Sequence, residues 1–449
     1  MTTFSIKYSR LAICVLMVST IPGLAAPSTR ITQCASAPED IICLAGRGRI
    51  YDSTLNLTEV MWVGPENRHV YLGSPSIAET PSGALLVSHD FFGPHVNVDG
   101  NRAGPDYTLN TTVQVLRNAD GRGGAEPGGW RYAGSVAGMY WANVFPFEDG
   151  AMYLLGVDGN DNAAARNIVI ARSTDEGTSW TTPSILFPAG TPAGGGAFRS
   201  YHCAPTPTLH LPEDGRLYRA FETYAHYAGA LVISTRDAVN ASTDLLDPAT
   251  WRMSNLVEFK APAAWGPPST GGWGWQEGNA VEAPDGGVYN MLRIDGQTAK
   301  THNKAAVLHL DPGSNALALK AFIDFPSTES KFVVRRHPAS GTYYTLSNNV
   351  TAKAGKSTST VYARNTLVLA TSDDALSWRV CGPALLADDT GLSFADSVRY
   401  TGFHYVSWVF RGADILYAVR TGYRGSDTYH NANRVTYKVV EGFAARCTA

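Results

Sequence analysis

Charge is scarce in this sequence. Lys, Arg, Asp and Glu make up 17% of its 449 residues and nearly cancel, leaving a formal net charge of -3. That balance provides neither the basic stripe that nucleic acid requires nor the polybasic patch that an anionic membrane attracts, so no nucleic-acid and no membrane partner is expected. Long hydrophobic runs are missing too; the run from Leu11 to Ile21 is too short to span a bilayer as a helix. No His-x-x-x-His or Cys-x-x-Cys spacing offers a metal site, no Gly-x-Ser-x-Gly elbow offers a nucleophilic serine, and no glycine-rich loop opens a helix to cradle phosphate. No cofactor is therefore required, though a structural cation such as calcium is compatible with the pattern.

What is present points to an all-β, secreted chain. The 44 Gly and 25 Pro, with 44% hydrophobic residues, suit a large core crossed by frequent turns. Lys7 and Arg10 precede the apolar run, and small residues follow at Gly23, Ala25 and Ala26. A basic flank, a short apolar core and a small-residue cleavage site define a secretory signal, so residues 1–26 are expected to be removed and the protein to be extracellular. The mature chain keeps Cys34, Cys43, Cys203, Cys381 and Cys447. In an oxidising compartment some of these should pair, and the closely spaced Cys34 and Cys43 are the first choice, within an N-terminal segment of residues 27–47. Five is odd, so at least one thiol stays free or pairs between chains. Asn56, Asn110, Asn240 and Asn349 each begin an Asn-x-Ser/Thr sequon.

Self-similarity organises the rest. A strand, a glycine turn and a second strand recur around Gly83, Gly150, Gly215, Gly286, Gly341 and Gly412. That spacing fits one four-stranded propeller blade per hairpin, so residues 48–449 read as a single β-propeller of six blades by direct count. The segment between Gly46 and Gly73 is the candidate for a seventh. A second repeat, the Asp-box, runs from Ser173 through Asp175 to Trp180 and again from Thr371 through Asp373 to Trp378, with Trp130 and Trp251 at comparable places. Its Asp stabilises a turn and its Trp packs, so the motif is structural rather than catalytic.

If the glycine turns share one face of the disk, the ends of second strands share the other, and those ends are polar. Second strands end at His89-Asp90, Arg219 to Glu222, Arg293 to Asp295, Ser347-Asn348 and Arg420. First strands begin near Trp141 and Asn143, Tyr201 and His202, Glu277 and Asn279, and Lys331; Arg166 and Arg364 precede third strands, and His404 lies near the last hairpin. Aromatic rings beside Arg, His and carboxylates suit a sugar, which offers apolar faces and hydroxyl edges.

The Asp-boxes and repeated blades resemble the sialidase-like superfamily. Those enzymes carry Arg-Ile-Pro before the first hairpin, where this chain reads Tyr71-Leu-Gly73-Ser74-Pro75-Ser-Ile and lacks the carboxylate-binding Arg. Segments including Gly73-Ser-Pro-Ser, Ser88-His-Asp-Phe-Phe-Gly93, Tyr201 to Pro207, Leu217 to Glu222 and Gln276 to Asn279 are similar to secreted propellers that process rhamnose linked to glucuronate, notably L-rhamnose-α-1,4-D-glucuronate lyases and ulvan lyases. The resemblance implies seven blades and β-elimination on an acidic, rhamnose-capped oligosaccharide or polysaccharide; a monomer is expected.

On that reading Arg219, helped by Arg166 or Arg293, neutralises the uronate carboxylate, Tyr201 or His202 removes the C5 proton, and His89 protonates the leaving oxygen. Trp141, Asn143, Glu277, Asn279 and His404 bind substrate. Two alternatives stand beside it. One is a glycoside hydrolase of sialidase or rhamnosidase type, drawing on Asp90, Glu222, Glu277 and Asp295. The other is a glycan-binding propeller without catalysis.

Overall fold

The computed structural model describes residues 71–448 apart from 94–95, 98–108, 111, 120, 122–129, 160–165, 191–199, 224–228, 269–272, 297, 351–361, 424–425 and 427. Residues 96–97 and 109–110 are described as backbone only. Before residue 71 it describes only the backbone strands Ile31–Gln33, Ile41–Leu44, Gly48–Tyr51 and Thr58–Glu59. The signal segment and the Cys34–Cys43 pairing lie outside the described residues.

Six antiparallel sheets follow one another along the chain and form a six-bladed propeller. Blade 1 is built on Ser76–Glu79, Leu85–Phe92, Thr112–Asn118 and Trp130–Ala137. Blade 2 runs from Met139–Pro146 through Met152–Asp158 and Ile168–Ser173 to Ser184–Phe187. Blade 3 spans Tyr201–His202 to Val257–Glu258, with Arg216–Thr223 as its second long strand. Blade 4 takes Gly274–Glu282, Val288–Asp295, Lys304–Asp311 and Ala316–Asp324, and blade 5 starts with Val333–Arg336 and Tyr343–Asn348.

Blade 6 closes the ring. Its strands Gly402–Arg411, Asp414–Gly422 and Arg434–Val440 are completed by Thr58–Glu59, with Val435 opposite Thr58. The count is the six that the hairpins indicate, not the seven that the resemblance implies. The segment proposed for a seventh blade instead contributes this outer strand, and Gly48–Tyr51 joins a separate three-stranded sheet. Closing the last sheet with an N-terminal strand ties the two ends of the propeller together and removes a free seam.

Second strands are buried along almost their whole length, as in Leu85–Phe92, because both faces pack against other blades. Their sequences are therefore apolar runs rather than alternating patterns. First strands have another problem: one edge pairs with the second strand, while the other faces the axis with unpaired backbone groups. Polar side chains from neighbouring blades satisfy that edge. Ser76 Oγ accepts from Val144 N (3.1 Å), and Asn143 Oδ1 accepts from Thr208 N (2.9 Å). Thr206 donates to Gly278 O (2.6 Å), and Asn279 accepts from Val334 N (3.2 Å). Lys331 Nζ donates to Val406 O (2.9 Å), and Ser407 Oγ accepts from Ile77 N (3.2 Å). Each blade thus contributes one side chain to a closed ring of clasps.

The first Asp-box forms as expected: Asp175 Oδ1 accepts from Ser173 Oγ and from the amides of Thr178 and Ser179. In the second, the turn-holding carboxylate is Asp374 and not Asp373. Asp374 Oδ1 accepts from Ser372 Oγ and the amides of Leu376 and Ser377, so the motif is one residue shorter than the first. Ala375 takes the left-handed conformation of Gly177 (φ 61° against 92°), and each motif Trp donates to that residue's carbonyl. Cys381 and Cys447 form a disulfide that anchors the C-terminal helix, and Cys203 is a buried free thiol.

Replacing Asn143 by Ala leaves the Thr208 amide and hydroxyl without their partner at the ring and removes one of the two contacts of the Ser76 hydroxyl. We expect Asn143→Ala to lower the unfolding free energy by about 2–4 kcal/mol, read by urea or thermal denaturation.

Candidate active site

Three first strands carry a bulge near their start, and they are the first strands of alternate blades. The register slips between Tyr140 and Asn143, between Gln276 and Asn279, and between His404 and Ser407. In each bulge a non-glycine residue is left-handed: Trp141 (φ 51°), Glu277 (φ 60°) and Tyr405 (φ 55°). That conformation costs an ordinary residue about 1–3 kcal/mol and persists only where the surroundings enforce it.

The intervening blades supply that enforcement from the ends of their second strands. Asp90 Oδ2 accepts from Trp141 N (2.9 Å), and Glu222 Oε1 accepts from Gly278 N (2.7 Å). Asn348 Nδ2 donates to Phe403 O (2.8 Å). Because second strands run away from the glycine turns, these groups and the three bulges gather on the opposite face and form a polar cup around the axis.

Tyr405 sits at the centre of the cup. Arg293 Nη1 donates to its hydroxyl (3.0 Å) and to Glu277 Oε2 (3.0 Å), and the hydroxyl donates to Glu277. The Arg364 and Arg420 guanidinium carbons lie 5.4 and 4.9 Å from the centre of the tyrosine ring. Burial would raise the Glu277 carboxyl, but the charge of Arg293 and the Tyr405 hydrogen bond overcome it and hold it below its ordinary value. Burial and the Glu277 charge raise the Tyr405 phenol. The result is a neutral phenol hydrogen-bonded to an ionised carboxylate within a ring of cations, an arrangement suited to deprotonating the phenol as it attacks.

A second pair borders the cup near Arg293. Glu329 Oε1 accepts from Thr301 Oγ1 (2.9 Å) and Gly296 N (3.2 Å), and its side chain shares a hydrogen bond with Asp295. Burial, then the Asp295 charge, push Glu329 up to about 7, so the pair holds a proton near neutrality. Opposite lies a cluster from blades 2 and 3. The His202 ring is 4.5 Å from that of Trp141, Arg166 lies over the same Trp at 5.2 Å, and His202 Nδ1 meets Glu222 Oε2 at 2.9 Å. Tyr201 is buried beside them.

The structure thus brings together Trp141, Arg166, Tyr201, His202, Glu277, Arg293 and His404, whose Nδ1 accepts from Arg364 (3.1 Å). It places two of the proposed catalytic groups differently. Arg219 is fully buried and braces its own blade through Thr206 Oγ1 (2.5 Å), Ala220 O (3.0 Å) and Ala204 O, which engages its fork with protein rather than substrate. His89 points away from Asp90 on a strand whose side chains alternate. It packs edge-on to Phe91 in a cluster with Leu416 and Val435 of blade 6, and burial brings it down to about 4. Asn143 and Asn279 belong to the clasp ring. Tyr405, Arg364, Arg420 and Glu329 were not singled out as site residues from the sequence, although aligning the three bulges would have set Tyr405 beside Trp141 and Glu277. Among the described residues no group of three or more His, Cys, Asp or Glu is arranged to hold a metal.

Fold and site define a six-bladed propeller with an arginine-lined cup at one end of its axis. No protein-family model and no curated protein matches the sequence. Solved structures do match. A K499G mutant of the NanB sialidase from Streptococcus pneumoniae aligns with a TM-score of 0.55 at 13% identity, over 87% of this chain and 71% of that one. The Hadza microbial sialidase Hz136 aligns at 0.53 and 14%, over 90% and 73%. The α-L-arabinofuranosidase Arb93A from Fusarium graminearum aligns at 0.51 and 13%, over 86% and 96%. At such identities the likeness establishes the fold alone, a β-propeller.

Asp90 yields a pH prediction. Burial pushes its carboxyl up from 3.8 to about 6, against the Trp141 amide, the Arg420 charge and the Ser74 amide. A proton held more tightly when folded contributes stability that is full below about 4 and lost as pH rises through about 6. The difference in unfolding free energy between the native chain and Asp90→Asn should therefore fall from pH 4 to 6 and then level off. A difference that stays flat or rises would contradict the assignment.

Proposed function

We propose that this chain is a carbohydrate-active enzyme that hydrolyses a glycosidic bond of a carboxylate-bearing sugar, with Tyr405 as nucleophile. The observation that carries this reading is the Tyr405 hydroxyl held between Arg293 and Glu277, with Arg364 and Arg420 against its ring. An ionised carboxylate approaching an anionic sugar would be repelled by it. A phenol stays neutral until Glu277 takes its proton, and enzymes with a tyrosine nucleophile are a known exception to the two-carboxylate plan.

In the first step the Tyr405 oxygen bonds to the anomeric carbon while its proton passes to Glu277. The Asp295–Glu329 pair gives its proton to the leaving oxygen. In the second, the deprotonated pair takes a proton from water as that water attacks the same carbon, and the phenol leaves with the proton held by Glu277. Arg293, Arg364 and Arg420 hold the sugar carboxylate and stabilise the charge that develops beside it. Trp141 offers an apolar face to the ring. Secretion, expected from the N-terminal residues, suits a polymeric substrate outside the cell.

A second reading keeps the cup and replaces hydrolysis with β-elimination at a rhamnosyl-α-1,4-glucuronate end. It is supported by the same concentration of guanidinium groups, which would neutralise the uronate carboxylate and acidify its C5 proton, with Tyr405 or His202 as the base. The product separates the two. Incubation with rhamnosyl-glucuronate and other acidic oligosaccharides should release a saturated sugar acid or its partner sugar with no unsaturated-uronate absorbance. Appearance of that chromophore would replace hydrolysis by elimination, and binding without any product would leave a glycan-binding propeller.

Tyr405→Phe should lower kcat by roughly 10³-fold or more, and Glu277→Gln by about 10²–10⁴-fold. Glu329→Gln removes the like charge that keeps a proton on the pair, so the alkaline limb of kcat/KM should move to lower pH. An unmoved limb would exclude the pair as the acid.

A further inference from the structure

On the face opposite the cup, where the glycine turns lie, the axis opens into a cavity of 600 Å³. It is separated from the cup by the clasps: Asn143 lines the cavity, while two residues earlier Trp141 borders the cup. Its volume falls in the range of small-molecule sites. Its walls are largely apolar, with Phe145, Phe147, Leu217 and Phe410 among them, and Arg335 is the one Arg or Lys in its lining.

Arg335 is an anomaly there. Its Nε donates to Trp408 O (2.7 Å) and its guanidinium lies 5.8 Å from the Trp408 ring, but among the described residues neither terminal nitrogen has a hydrogen-bond or ion-pair partner. The other charged groups of the lining are engaged elsewhere or stand at the exposed rim: Glu79 faces Arg411 at 3.5 Å, and Glu148 and His210 lie 4.0 Å apart. Burial lowers Arg335 to about 10, with no carboxylate opposing the shift. Arg335 is half-buried and borders the cavity, so its guanidinium is open to whatever occupies that space. A guanidinium lining an apolar cavity is complementary to a carboxylate carried on an apolar body.

We propose that this cavity is a second binding site, distinct from the cup, for a small aromatic monocarboxylate whose carboxylate pairs with Arg335 and whose ring packs among Phe145, Phe147 and Phe410. The site does not depend on the reaction assigned to the cup. A bound acid would span first strands of opposed blades and tighten the axis from below.

The test uses the full chain and phenylacetate, followed by calorimetric titration and ligand-observed NMR, with uncharged phenylacetamide as the control. Saturable phenylacetate binding is expected, at least about tenfold weaker for the amide and for Arg335→Met, since one charge-assisted pair is lost in each. Binding should persist in Arg364→Ala, which alters only the cup. Absence of saturable binding would overturn the proposal, as would equal affinity for the amide. So would binding that survives Arg335→Met but disappears in Arg364→Ala, which would place the acid in the cup. The acid–amide comparison on the native chain decides the matter even where the methionine variant does not fold.

Discussion

The inner edges of six first strands have to be satisfied without a neighbouring strand, and everything else in this molecule follows from how that is done. A sheet edge facing water can be left to solvent, but edges crowded around an axis cannot. The chain answers with one side chain per blade reaching to the next: Ser76, Asn143, Thr206, Asn279, Lys331 and Ser407. These contacts set how closely the strands approach the axis. They also set which residues of each strand lie above the ring, in the cup, and which below it, in the lower cavity.

Strain enters the same way. Trp141, Glu277 and Tyr405 each lie two residues before a clasp position, Asn143, Asn279 and Ser407. The bulge absorbs the extra residue and turns its side chain into the cup. Local sequence tolerates this at a narrow point: a Cβ at Gly278 would lie 2.2 Å from Asn290 Oδ1, so no other residue fits beside Glu277 without displacement. Gly73 plays a related part, since a Cβ there would lie 1.6 Å from the Asp90 carboxylate that grips the Trp141 bulge. The polar groups of the cup are therefore held by backbone geometry on rigid strands.

This explains what could be read from the residues alone. Blade count and the polar face were legible because turn glycines and strand ends are local features with fixed spacing. The places of Trp141, Glu277 and Arg293 on the polar face were legible for the same reason. Tyr405 was not, because its hairpin, Phe403 to Tyr417, reads as an ordinary buried strand pair, and only the bulge turns the phenol inward. Arg219 and Arg293 look alike in sequence, each on a second strand. They differ because the backbone carbonyls of Ala204 and Ala220 capture the first and leave the second for Glu277 and Tyr405, and backbone carbonyls carry no sequence signal. The second Asp-box was misregistered by one residue because adjacent Asp373 and Asp374 are equivalent as letters and only the hydrogen bonds separate them.

The buried charges around the cup do not balance. Arg166, Arg219, Arg293, Arg364, Arg420 and Lys331 face Asp90, Glu222, Glu277 and Glu329, and burial holds protons on Asp90 and Glu329 well above the usual carboxylate range. The excess is positive in a chain whose formal net charge is -3. Lys331, held at the ring by Val406 O, is lowered to about 7 by burial, with the Glu277 charge opposing the shift. The five buried arginines outnumber the four buried carboxylates beside them, and an anion entering the cup relieves that excess. The low-dielectric walls that make the excess costly make that relief large, so the cup favours negative charge.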